Sequence, residues 1–204
     1  YAVRTGDTTS FLSHQMMTPF LSIIYTYLGV VIINYRPRNP IGWIFLIVSS
    51  SYVLSALVAG ALLYTSILPA PLGPLLLDLA TWLGNWSWLP AQLLPLTFVF
   101  LLFPDGHLLS PRWRIIGWAA GLGLLSLMLA LAAHPGPLVD WATQPNPFGI
   151  VGAEDILDNL ITVGSVFLAI GVFGSMAAIV VRFRRSKGIE RARMKWLVYA
   201  AILI

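Results

Sequence analysis

The sequence contains no cysteine, and charged residues make up only 10% of it. The first absence removes disulfide frameworks, thiolate zinc sites and cysteine nucleophiles together. The second removes the soluble globular class, in which about a quarter of residues are charged. Histidine is scarce: His14, His107 and His134 fall in separate connectors and span ends, too far apart in the expected topology for a metal site. No glycine-rich phosphate loop, nucleophile with adjacent base or pair of acids within an apolar run is present. The chain is therefore expected to carry no catalytic residue, no cofactor and no metal. No basic-then-apolar leader occupies residues 1–15, so no cleavable signal peptide is expected.

What fills the chain is hydrocarbon, with 58% of its 204 residues hydrophobic. Apolar runs cover residues 17–35, 41–64, 84–103, 115–134 and 160–181. Each is close to the ~20 residues that a helix needs to cross ~30 Å of lipid. A sixth run begins at Trp196 and reaches the final residue, Ile204, after too few residues to cross. The expected fold is an all-α polytopic transmembrane bundle, residues 1–204 forming one membrane-embedded domain with five complete spans and the start of a truncated sixth. With Tyr1 at one end and a partial span at the other, the chain is expected to be a fragment of a longer protein.

Charge gives the bundle a direction. The net charge is +4, which would suit nucleic acid, but eleven of the twelve basic residues fall in three places. These are Arg36 with Arg38, Arg112 with Arg114, and the run from Arg182 to Lys195. The three lie on one side if the spans alternate, while Asp7, Asp78, Asp140, Glu154, Asp155 and Asp158 lie on the other with Arg4. Short basic loops stay in the cytoplasm, so the N-terminus is expected outside and no nucleic-acid partner is expected. Tyr35, Trp43, Trp113 and Trp196 then flank the inner boundary, and Tyr64, Trp82, Trp86, Trp88 and Trp141 the outer one, as interfacial belts.

The connectors have local mechanisms. In "RPRNPIGW", Pro37 and Pro40 stop the first helix, Asn39 caps the second and Pro40 suits its first position. In "SPRW", Ser110 is expected to cap and Pro111 to open the next span. Before it, "FPDGHLLS" reads as a tight turn in which Pro104 presets its dihedral, Asp105 caps locally and Gly106 takes a positive φ.

Four of these stretches in order, "RPRNPIGW", "FPDGHLLSPRWR", "PNPFG" (residues 145–149) and "RFRRSKGIERARMKWL" (residues 182–197), resemble the N-terminal multi-span membrane region of bacterial two-component sensor histidine kinases. The resemblance covers about residues 29–197. It implies a sensory input region in the bacterial inner membrane, followed in the parent by a dimerising helix with a phosphoaccepting histidine and an ATP-binding domain. It also implies a homodimer and a cytoplasmic response regulator as partners, beside the bilayer itself. It carries over no catalytic residue.

Two groups of residues are candidates for function. Pro90 and Pro95 free the carbonyls of Trp86 and Ala91 in the third span, and polar Gln92 lies between them. With Trp86 and Trp88 it forms a candidate ligand pocket, beside "PLLLDLATWLGNW", which suits an interfacial helix. Arg36, Arg38, Arg112, Arg114, Arg184, Arg185, Lys187 and Arg191 are candidate signal-relay residues or anchors on lipid phosphate. Gly117 and Gly121 form a small-xxx-small pair, read as internal packing before a dimer face. Glu154, Asp155 and Asp158 complement the dipole of the fifth span. The expected function is the membrane input region of a sensor histidine kinase. A small transporter or permease subunit is the alternative, disfavoured because the spans hold almost no ionisable residue near the midplane.

Overall fold

A computed structural model describes the backbone of residues 8–67, 73–136 and 146–186, with side chains from residue 17 to 61 in the first stretch and throughout the other two. Among the described residues there is no strand. Helices α1 (Thr8–Tyr35) and α2 (Pro40–Ile67) form one antiparallel hairpin, and α6 (Arg114–Ala133) and α7 (Glu154–Arg185) form another. Between the hairpins lie α3 (Pro74–Trp86), α4 (Leu89–Leu94), a π-helical segment (Pro95–Val99) and the single turn α5 (Phe100–Leu102). Four helices are long and apolar enough to cross a membrane: Met17–Tyr35, Pro40–Ala61, Pro111–Ala133 and Glu154–Arg185. The chain is thus built as a multi-pass membrane protein. Its outward faces carry Phe20, Ile23, Leu57, Ile115, Trp118 and Phe173, each more than half exposed, which only a lipid solvent makes inexpensive.

The third apolar run, residues 84–103, forms a broken helix, interrupted where its prolines lie. Helix α3 ends at Trp86, Ser87 and Trp88 make a turn, and a new helix starts at Leu89 with Pro90 in its first turn, where a missing amide hydrogen costs nothing. Pro95 then opens the π-helical segment, in which the wider turn separates the ring from the preceding carbonyls. Thr97 Oγ1 donates to the Leu93 carbonyl at 2.6 Å, supplying a partner that the wider turn leaves short. Residues 89–102 amount to about 21 Å of helix at ~1.5 Å per residue, less than the hydrocarbon thickness.

This broken segment is the wedge that joins the hairpins. On one side Ala91 packs with Val48 and Tyr52, against Leu21, Tyr25, Ile44 and Leu94. On the other, Leu89 packs with Leu124 and Leu127, against Trp86, Met128, Ile161 and Leu168. Each hairpin is closed by small residues. A methyl group on Gly123 would lie 2.5 Å from the Leu168 nitrogen, and one on Gly171 would lie 2.7 Å from Ala120 Cα, so α6 and α7 touch through bare backbone. Gly29 and Gly42 do the same for α1 and α2, where a methyl on Gly29 would sit 3.0 Å from the Gly42 carbonyl oxygen. A polar clasp adds to that hairpin: Ser49 Oγ donates to the Ser22 carbonyl at 3.0 Å and pairs with Thr26 Oγ1 at 2.6 Å.

Gly117 and Gly121 face the wedge, next to Leu101 and Phe98, at ordinary contact distances of 3.5 and 3.6 Å. They pack internally, but the tightest approach belongs to Gly123. Helix α7 is longer than the apolar run 160–181 because Glu154 and Asp155 suit its first turn, and Arg182, Arg184 and Arg185 suit its last. The sixth run from Trp196 lies outside the described residues.

Candidate functional site

The three basic connectors meet at one end of the bundle. At the first, Asn39 Oδ1 accepts from the Ile41 amide at 3.0 Å, so the N-cap forms as its sequence implies. The Trp43 indole donates back to the Pro37 carbonyl at 3.3 Å and holds the connector against the start of α2. At the second, Gly106 adopts φ 77° and its amide donates to the Leu102 carbonyl at 2.8 Å. A side chain there would strike Asn39 and Pro40, so the second connector is seated directly on the first. Asp105 contributes its carbonyl to the His107 ring, 2.9 Å from Nδ1, in place of the expected side-chain cap. Ser110 likewise makes no side-chain cap. Its carbonyl accepts from the Trp113 amide at 3.1 Å, and a 3-10 turn, Pro111–Trp113, leads into α6.

The third connector is tied in by Arg182. Its Nη2 donates to the Leu101 carbonyl at 3.3 Å and to the His107 carbonyl, so the last turn of α7 is bonded both to α5 and to the loop that follows it. Arg36, Arg38, Arg112, Arg114, Arg184 and Arg185 are exposed around this junction. Lys187 and Arg191 lie outside the described residues. Sequence reasoning put Arg182 in a basic run but not in this bridging role. Nothing in its spacing distinguishes it from Arg184 and Arg185, and only the packing of α7 against α5 does.

The opposite end is aromatic and hydrogen-bonded. Trp82 meets Trp86 edge to face at a centroid distance of 5.4 Å and Phe148 at 5.5 Å. The Trp82 indole donates to the Ala132 carbonyl at 2.8 Å. Asn146 is buried and donates through Nδ2 to the carbonyls of Ala132 and His134, at 2.8 and 2.9 Å, while its Oδ1 accepts from the Phe148 amide. It thereby satisfies the C-terminal end of α6. His134 Nε2 lies 3.2 Å from Asp158 Oδ1, linking the two helices of the second hairpin. Asn146 and the His134–Asp158 pair were not singled out as partners in the sequence, because their positions converge only when α6 and α7 pack antiparallel.

The members of the candidate pocket stand in different surroundings. Trp86 is half-buried in the second hairpin's core, Trp88 is exposed and donates its indole to the Asn85 carbonyl at 3.1 Å, and Gln92 is exposed on the bundle surface. The indole nitrogen of Trp86 and the hydroxyl of adjacent Ser87 are buried without a hydrogen-bond partner, at the break between α3 and α4. Among the described residues no cluster of histidine and acidic side chains could hold a metal. Comparison of the chain with protein-family models, with curated proteins and with solved structures returns no match.

Proposed function

We propose that this chain is the membrane input region of a bacterial two-component sensor histidine kinase, in the inner membrane with its N-terminus outside and its basic connectors in the cytoplasm. The observation that carries the reading is the bond from Arg182 to the Leu101 and His107 carbonyls. It makes the end of α7 and the loop after α5 one mechanical unit. A tilt or piston movement of α7 relative to the wedge therefore has to break or re-form charged hydrogen bonds. That is the two-state element a relay needs. The basic run beyond Arg182 would pass the change through the sixth apolar run to a dimeric cytoplasmic kinase and its response regulator. In the same reading, the wedge from Leu89 to Leu102 is the third of five crossings, shortened by its prolines and extended by α3 lying in the outer interface.

The sequence that follows Ile204 in the parent gene gives the first test. A dimerising helix with a phosphoaccepting histidine and an ATP-binding domain are expected after the sixth span, and further spans instead would favour a small transporter. In membranes holding the full-length product, autophosphorylation from radiolabelled ATP should change several-fold in basal rate when Arg182 is replaced by glutamine. An unchanged rate with normal membrane insertion would remove the relay.

A further inference from the structure

A groove of about 340 Å3 runs along the outer face of α2, lined by Trp43, Leu46, Ile47, Ser50, Ser51 and Leu54. From Trp43 to Leu54 it spans about 16 Å at ~1.5 Å per residue, which is half of the ~30 Å hydrocarbon core, or one leaflet. Its two serines are spent inside the helix: Ser50 Oγ donates to the Leu46 carbonyl at 2.9 Å and Ser51 Oγ to the Ile47 carbonyl at 3.1 Å. They therefore act as small residues, and the depression between the larger side chains offers hydrocarbon contact and no free polar group. At the basic end the Trp43 indole is bonded to the Pro37 carbonyl, which sets the mouth of the groove beside Arg36 and Arg38. Both arginines are exposed. The stretch from residue 36 to residue 54 contains no acidic residue, and among the described residues neither guanidinium is paired with a carboxylate.

We infer that this face holds one anionic phospholipid from the leaflet at the basic end of the bundle. Its phosphate and headgroup sit on Arg36 and Arg38, and one acyl chain lies in the α2 groove. Charge complementarity selects the occupant: two unneutralised guanidiniums favour a lipid with net negative charge over a zwitterionic one, and a guanidinium matches phosphate oxygens two at a time. A groove one leaflet long fits an acyl chain that starts at the interface, marked here by Trp43.

The test is native mass spectrometry of the whole chain in micelles holding equal amounts of dioleoyl phosphatidylglycerol and dioleoyl phosphatidylcholine. One phosphatidylglycerol should stay bound per chain. The preference should vanish in the double variant Arg36→Gln, Arg38→Gln. The variant Ser50→Phe, which fills the groove from an exposed position and leaves the arginines in place, should lose retention while keeping its helical circular dichroism. Equal retention of both lipids, an unaltered preference in either variant, or a lipid-free dimer would overturn the assignment, the last by giving the face to a second copy of the chain.

Discussion

Arg182 and Asn146 do the same job at opposite ends, each giving its donors to carbonyls that a helix end or turn leaves without partners. Loss of such a group strands polar atoms next to hydrocarbon, where a missing partner costs more than a made bond returns. Asn146→Ala should lower stability by roughly 1–3 kcal/mol, since the His134 carbonyl and the Phe148 amide lose their partner at once and the Ala132 carbonyl keeps only the Trp82 indole. Thermal unfolding in detergent micelles checks it, and Asn146→Asp, which keeps the acceptor but not the donors, should be nearly as damaging. Arg182→Gln should cost an amount similar to Asn146→Ala, and Arg182→Lys should fall between it and the native protein, because the ammonium keeps the charge and the donors but lacks the planar fork and the reach of the guanidinium. Neither role is visible in composition. Asn146 sits in a stretch that reads as an ordinary turn, and Arg182 in a run of arginines with identical chemistry. By contrast the Asn39 cap could be read directly, because donor and acceptor are two residues apart and no tertiary contact is involved.

At the scale of elements, glycine position decides how closely helices approach. Gly117 and Gly123 both lie on α6, yet a methyl on the first meets Leu101 at 3.5 Å and a methyl on the second meets the backbone of α7 at 2.5 Å. Gly123→Ala should therefore force the second hairpin apart, at roughly 1–3 kcal/mol as for other overpacked sites. Gly117→Ala should be neutral or gain up to about 1 kcal/mol from helix propensity. Titration with sodium dodecyl sulfate, followed by circular dichroism, separates the two outcomes, and equal losses would contradict the packing described. The small-xxx-small pair packs internally as its spacing implies, against the wedge, but spacing alone does not say which side of α6 faces α7, where Gly123 makes the close approach. The third span shows the same division. Pro90 and Pro95 announce a disturbance, but whether it becomes a kink or a turn followed by a π-helical segment depends on the neighbours on both sides, which here hold a short wedge in place.

For the whole molecule, the lack of native cysteine makes topology directly measurable. Single variants Arg38→Cys, Arg112→Cys and Arg185→Cys should react with an impermeant maleimide from one side of the membrane only, and Val151→Cys from the other. Labelling of the three connectors from different sides would contradict the junction at the basic end. That junction illustrates what was and was not readable. Apolar run length and arginine placement are one-dimensional quantities set by membrane thickness and the cost of moving charge across it, so the sequence alone determined that helices cross the membrane and which connectors share a side. The contacts among those connectors, the exposure of Gln92, the half-burial of Trp86 beside exposed Trp88 and the closure of α6 on α7 were decided only by the tertiary structure. In lipid all apolar faces are nearly equivalent, and the choice among them rests on close backbone approach and hydrogen-bond satisfaction between residues distant in the chain.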